Sequence, residues 1–218
     1  ALQRRYPPRT AHSGFAFTSL DLADKDFVKK PRTAGSFNLE NPHVVLIGNM
    51  QKSLKGHDVL LKALAKLHAR GIKARLTVIG YGENQALYTA MAAQLGLAKH
   101  VVFTGKLTSG KPVYDVLDTG DLFVLPSRQE GLPRAMLEAM ARGLPAIGTR
   151  VGGTPELISE DCLVEPNDVD GLADRMEVFL RDTELLARHS ATNLATVQGY
   201  HIDAVSKARK AFYDAIIT

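Results

Sequence analysis

This sequence predicts a doubly wound α/β domain with a parallel sheet, a Rossmann-like fold, and three observations carry the prediction. From residue 43 onward, short apolar runs alternate with stretches of helical period. The runs are continuous rather than alternately apolar and polar, as strands covered by helices on both faces require. The motif residues follow the runs directly, at the strand C-termini where such sheets bind ligands.

The elements follow in order. Residues 44–47 (VVLI) read as a buried strand and 59–67 as an amphipathic helix. Residues 75–79 form the next strand and 86–95 a helix. Strand 101–103, a short helix over 112–117 and strand 122–125 come next. A helix opened by Pro133 leads to strand 146–149, a helical turn at 155–158 and a last strand at 162–164. Beyond Pro166 the chain is helical over 169–180, 183–196 and 202–217, with Asp168 and Asp182 as N-caps. Residues 1–42 read as a lead-in from an interdomain crossover, with a strand over 14–20. Residues 43–165 form the ligand-binding core, and 166–218 the C-terminal helices of the same domain.

Composition narrows the class. A chain of 218 residues, 45% hydrophobic and 23% charged, buries a real core and is most simply one soluble globular domain. No apolar run reaches the length of a bilayer-spanning helix. The start, ALQRRYPPR, has no apolar signal core and no initiator Met, so the sequence reads as a piece of a longer protein. The single cysteine, Cys162, lies in an apolar run and reads as core, and a cytoplasmic setting is expected. Arg4, Arg5, Arg9, Lys25, Lys29, Lys30 and Arg32 form a basic cluster. It suits an anionic membrane surface, and hence a peripheral place at the inner face, or a phosphate-bearing acceptor, or simply a solvated face. No nucleic-acid signature accompanies it and aromatics are 6%, so nucleic acid is not an expected partner. The seven histidines lack metal-ligand spacing, and no metal is expected.

The most informative window is 124–158, VLPSRQEGLPRAMLEAMARGLPAIGTRVGGTPELI. A strand runs into a turn carrying Glu130 and Gly131, then into the helix at Pro133, a helix N-terminus suited to an anion. Glu130 sits in the mobile approach, where it meets a ligand hydroxyl or stays solvated. Glu138 sits about a turn and a half inside the helix. There it accepts from a vicinal diol such as a ribose, or joins an exposed ion-paired stripe with Arg134 and Arg142, each four residues away. Lys55 stands beside a helix N-terminus, where the dipole disfavours a cation, so an anionic partner explains it; the alternative is a solvated lysine near Lys52. Gly80 and Gly82 flank Tyr81 after a strand, either for close approach to a ligand or simply to turn the chain. Thr154 is a candidate cap for the turn after Gly152-Gly153.

Together, residues 48–64 (GNMQKSLKGHDVLLKAL), 76–82 (LTVIGYG), 101–107 (VVFTGKL) and the window above resemble the nucleotide-binding half of a GT-B glycosyltransferase of the retaining family-4 type. The blocks keep the family's order over most of residues 43–165. The resemblance implies a nucleoside-diphosphate sugar as donor, UDP before GDP or ADP, and transfer of a hexose-like sugar with retention to a glycan, lipid or other acceptor. It implies front-face attack with no assigned protein nucleophile, no bound metal or cofactor, and an acceptor site mainly on an N-terminal domain. Lys55 then meets the diphosphate, and Glu130 orients the sugar. Glu138 holds the ribose, and the loop at Lys106 and Leu107 reads the base through its backbone. Gly48, Asn49, Gly80, Tyr81 and Gly82 line the same crevice, and Gly131, Leu132, Arg134 and Ala135 complete the donor loop.

Two departures matter. Asn49 stands where many relatives have Arg, which leaves Lys55, with Lys52 or Arg134, to neutralise charge. Pro133 stands where many have Gly and has no N–H to donate. Two alternatives remain: a nucleotide-sugar epimerase of the same architecture, and a nucleotide-sugar-binding domain without chemistry. A dinucleotide oxidoreductase is disfavoured, because no G-x-G-x-x-G follows the first strand.

Overall fold

The computed structural model describes residues 20–217. Its strands are β1 (His43–Ile47), β2 (Arg75–Ile79), β3 (Val101–Gly105), β4 (Leu122–Leu125), β5 (Ala146–Thr149) and β6 (Leu163–Val164). All pair in parallel in one sheet of order β3-β2-β1-β4-β5-β6. The order reverses between β1 and β4, the position at which sheets of this kind bind ligands beyond their strand C-termini. Val44 is paired with Leu76 on one side and Leu122 on the other. Every residue of β4 and β5 is buried, whereas edge strand β3 exposes Val102. Continuous apolar runs therefore did mark strands with two covered faces.

The helices are α1 (His57–Ala69), α2 (Gln85–Gln94), α3 (Lys111–Asp118), α4 (Arg134–Ala141), α5 (Thr154–Leu157), α6 (Val169–Phe179), α7 (Thr183–Val197) and α8 (Ile202–Ile217). In α1, Val59, Leu60, Ala63, Leu64 and Leu67 recur at helical spacing and are buried. Helix α1 packs on α2 and α6, with Arg70 of its C-cap bonded to Asp174 and Glu177. Helix α4 packs on α7, and α3 joins α4 through Arg142 and Asp118 at 2.7 Å. Parallel connections are right-handed, so the reversal of strand order puts α1 and α2 on one face and α3 and α4 on the other.

Several expectations hold to the residue and others shift for physical reasons. Asp168 and Asp182 cap α6 and α7, accepting from Gly171 N–H at 2.8 Å and Leu185 N–H at 2.9 Å. Pro133 precedes α4 rather than opening it: its carbonyl accepts from Met136 and Leu137, and its ψ of 101° is extended. Thr154 is no cap; it is the first residue of α5 and is buried. Cys162 ends a 3-10 turn (Glu160–Cys162), so the last strand holds only two residues. It is fully buried, as its apolar run implied.

Of the strand expected over 14–20, only Leu20 falls among the described residues. Leu20 and Leu22 join the core, and Val28 N–H reaches Ala141 O at 2.9 Å across the end of α4. Arg4, Arg5 and Arg9 of the basic cluster lie outside the described residues. Among the described residues, no helix is long and apolar enough to cross a membrane.

Candidate functional site

Three loops meet beyond the C-termini of β1, β2 and β4, and glycine lets them touch backbone to backbone. Gly48 N–H bonds to Ile79 O, and Met50 N–H to Tyr81 O, each at 2.9 Å. A Cβ on Gly80 (φ +149°) falls 2.0 Å from Gly48 O, and one on Gly82 (φ +155°) falls 2.3 Å from the Met50 carbonyl carbon. These two glycines thus answer first to loop packing, although Gly80 also lines the cleft described below. Gly56 (φ +67°) does the same between β1 and β4, where a Cβ sits 2.0 Å from Pro126 O. Such positions are closed to L side chains on sterics and backbone conformation alike.

The loops carry charge that pairs across them. Lys55 Nζ donates to Glu130 Oε1 at 2.6 Å, and Ser127 Oγ donates to the same oxygen at 2.6 Å. The Glu130 side chain is 7% exposed and that of Lys55 23%. Glu130 is therefore neither loose nor solvated: the ion pair and the serine hold it down. The anionic partner that the position of Lys55 called for is, in this structure, Glu130. The stem of Lys55 lies over Gly48, where a Cβ would stand 2.9 Å from Lys55 Cγ.

Arg128 braces this arrangement. It bonds both carboxylate oxygens of Asp58 at 2.9 and 2.7 Å, Asn167 Oδ1 at 2.7 Å and the carbonyl of Ser53, while its own N–H reaches Leu54 O. Burial pushes the Asp58 carboxyl up, but the hydrogen bonds and charge of Arg128, with the backbone N–H of Asp58 itself and Lys62, together hold it below the usual range. Gly152 and Gly153 support the loop from behind. A Cβ on Gly152 would meet Glu130 O at 2.2 Å, and Gly153 N–H bonds Gly131 O at 2.6 Å. These contacts give the turn a structural role, beside the ligand-facing one that its sequence also allows.

Beside these loops opens a cleft of ≈190 Å³, lined by Gly48, Asn49, Gly80, Tyr81, Lys106, Leu107 and Glu138, with Ile47, Ile79, Ser109 and Val113. Seven residues singled out from four separate blocks converge on it. Tyr81 is 48% exposed, and Lys106 Nζ stands 5.6 Å from its ring centroid at the rim. Glu138 is half-buried, and among the described residues no hydrogen bond or ion pair reaches its carboxylate. Arg142 is committed to Asp118, so the exposed ion-paired stripe does not form. Burial raises the pKa of Glu138 above the ordinary value, Arg134 opposes the rise, and Asp26 adds to it. An acceptor of this kind, desolvated and without a donor, suits a ligand hydroxyl pair.

The start of α4 supplies the complementary feature. Among the described residues no hydrogen bond takes up the N–H of Leu132, Arg134 or Ala135. The first-turn amides of Arg134 and Ala135, aligned with the helix dipole, favour an anion, and the Leu132 amide lies just before them. Pro133 is buried and offers none. Lys52 and Arg134 are exposed, free to approach a ligand from solvent.

Sequence reasoning missed Ser127, Arg128, Ser109 and Val113. Arg128 has no local signature, because Asp58 lies 70 positions away. It also passed over His57, which is buried, stacked on Tyr88 at 4.9 Å and without a partner for either ring nitrogen among the described residues.

Comparison with known proteins fits this geometry. The family "Glycosyl transferases group 1" matches residues 41–182. N-acetyl-alpha-D-glucosaminyl L-malate synthase from Bacillus anthracis is 35% identical over 145 residues, covering 65% of this chain and 37% of the synthase. Among solved structures, sucrose-phosphate synthase from Thermosynechococcus elongatus superposes with a TM-score of 0.80 at 20% identity, over 99% of this chain and 55% of that one. A variant of S. aureus TarM in complex with UDP, fondaparinux and alpha-GlcNAc-glycerol gives a TM-score of 0.73 at 20% identity, over 86% of this chain and 38% of that one. The chain thus spans less than half the length of the L-malate synthase and of TarM, and about half of the sucrose-phosphate synthase. The two structures share the fold. With the match spanning β1 to the cap of α7, this chain belongs to the glycosyl transferases group 1 family.

Proposed function

We propose that this domain binds the nucleotide part of a nucleoside-diphosphate sugar, UDP before GDP or ADP, and supplies the donor half of a retaining glycosyl transfer. The observation that carries the reading is Glu138: a half-buried carboxylate without a partner among the described residues, on a cleft shared with Gly48, Gly80 and Leu107. A ribose diol satisfies it, and the base lies against the loop at Lys106 and Leu107. Stacking of the base beside Tyr81 fits the exposed ring at the rim. The cleft is smaller than an ordinary ligand pocket of about 300 Å³ or more, consistent with a site completed by a second domain.

Departure of the diphosphate builds negative charge near the start of α4. The amides of Leu132, Arg134 and Ala135 and the ammonium of Lys55 are placed to stabilise it electrostatically. Glu130 then has two tasks in turn. It neutralises Lys55 while the site is empty, and it accepts from sugar hydroxyls once the phosphates take over the ammonium. No metal or protein nucleophile is needed in this scheme. The acceptor is a glycan, lipid or other molecule held mainly by an N-terminal domain, and proximity to an anionic membrane suits the basic lead-in.

A thermal-shift panel of nucleoside diphosphates, their sugar conjugates and dinucleotides tests the reading, since a ligand of the folded state raises Tm by mass action. UDP and a UDP-sugar are expected to raise Tm at millimolar concentration and NAD to leave it unchanged. A shift with NAD and none with any nucleoside diphosphate sinks the proposal.

A further inference from the structure

At the β6 edge of the sheet, three side chains that the donor site does not use meet on one point. Cys162 ends the 3-10 turn before β6, Asp161 precedes it, and His189 comes from α7. Sγ of Cys162 lies 3.3 Å from His189 Nδ1 and 3.8 Å from Asp161 Oδ1, while His189 Nε2 lies 3.1 Å from Asp161 Oδ2. One ligand atom from each residue can be chosen so that all three lie within 4.8 Å of one another.

From this geometry we infer that Asp161, Cys162 and His189 form a binding site for one thiophilic divalent metal ion of the zinc class. A tetrahedral zinc with Zn–S near 2.3 Å and Zn–N near 2.0 Å holds its sulfur and nitrogen about 3.5 Å apart. The Sγ–Nδ1 and Sγ–Oδ1 spacings bracket that value, and the edge between the imidazole and the carboxylate, within 4.8 Å, closes by rotation of the exposed Asp161 side chain. Cys162 is fully buried and His189 is 4% exposed, while the Asp161 side chain is 51% exposed and leaves a path from solvent. The Phe179 ring, 4.9 Å from the imidazole, fixes its tilt. Three protein ligands leave the fourth position to water.

Without metal the same atoms form a hydrogen-bond chain: the thiol donates to Nδ1, and Nε2–H donates to Asp161. Burial, with Asp161 beside it, pushes the thiol up to about 12, so it is protonated and unreactive at neutral pH. Metal uptake exchanges that proton for the ion: the S–H bond breaks, Sγ and the Nδ1 lone pair become ligands, and one proton leaves to solvent. Affinity therefore rises with pH. Burial lowers the imidazole pKa most, and the charges of Arg188 on α7 and Arg175 on α6 lower it further and oppose a cation. The thiolate and the Asp161 carboxylate offset them. A bound ion ties the 160–162 turn to α7 and is independent of the nucleotide reading.

The test titrates chelator-treated protein of the full chain with Co²⁺ alone. Expected are one equivalent bound, a near-ultraviolet thiolate-to-cobalt band, loss of that band on adding Zn²⁺, and a higher Tm that chelator reverses. Asp161→Asn, at an exposed position that leaves the core intact, is expected to weaken Co²⁺ binding by about tenfold or more. Cys162→Ser, with its fold checked by circular dichroism, is expected to abolish the band. Wild-type protein without a band at millimolar Co²⁺, a band that survives Cys162→Ser, or equal affinity in Asp161→Asn overturns the assignment and leaves only the hydrogen-bond chain.

Discussion

Lys55→Ala is expected to be the most damaging single substitution among the charged residues of the site. It strands the Glu130 carboxylate, 7% exposed, with the Ser127 hydroxyl as its one remaining donor among the described residues. Breaking a buried ion pair from one side costs about 3–5 kcal/mol; with Lys55 itself 23% exposed, about 2–3 kcal/mol is expected. Glu130→Gln is expected to cost about 1 kcal/mol, because the amide oxygen still accepts from Ser127 and the freed ammonium swings toward solvent. The double variant Lys55→Met with Glu130→Gln is expected to recover most of the stability but none of the diphosphate affinity. Urea unfolding gives the first quantity. Titration with UDP and with uridine, at low and high salt, gives the second. The loss falls on UDP alone and shrinks as salt rises, since the ammonium acts by charge. Equal stability costs for the two single variants would show that the pair is screened by solvent. Equal losses for uridine would place Lys55 away from the phosphates.

Acid is expected to unfold this domain through its buried imidazoles, with His57 the largest contributor. Burial drives His57 from 6.5 down to about 4; the nearby Gly48 backbone and Asp58 favour the protonated form, and Lys55 disfavours it. The sign follows from proton counting. Between pH 6.5 and about 4 the unfolded imidazole is protonated and the folded one is not, so the unfolded state binds more protons. Stability therefore falls as pH drops through that window and levels off for this group below it. The shift corresponds to about 3 kcal/mol. His43, His68 and His189 are lowered by burial too and act in the same direction. His57→Phe keeps a ring against Tyr88 and removes two nitrogens that lack partners among the described residues. Its Tm is expected to depend less on pH between 6.5 and 4 than that of the parent. An unchanged slope, or a His57 resonance titrating near 6.5, contradicts this.

The contrast between Glu138 and Glu130 shows where sequence reading succeeds and stops. Strands with two buried faces are written as continuous apolar runs, so β1, β2, β4 and β5 were legible almost to the residue. Their order was not, because pairing is a property of distant segments. Motif glycines were legible as positions but not as roles: Gly80, Gly82 and Gly152 serve contacts with backbone 32, 32 and 22 positions away, counting to Gly48, Met50 and Glu130. Glu138 lines the cleft beside the other motif residues because a helix fixes its direction relative to the preceding strand. Glu130 sits in a loop, and its partner Lys55 is 75 positions distant, so the pair that defines its charge environment leaves no local trace. Cys162 and His189, 27 positions apart, escape any spacing rule for the same reason.

The nucleotide assignment rests on Glu138, and calorimetric titration of Glu138→Gln against the parent protein tests it most directly. A charged acceptor to a hydroxyl pair is worth roughly 1.5–3 kcal/mol, or about tenfold or more in Kd. Glu138→Gln is therefore predicted to weaken UDP and uridine alike by at least about tenfold, and to abolish the preference of the parent for uridine over 2′-deoxyuridine. Affinities for all three ligands that are indistinguishable between Glu138→Gln and the parent would contradict the assignment and remove the nucleotide from this cleft.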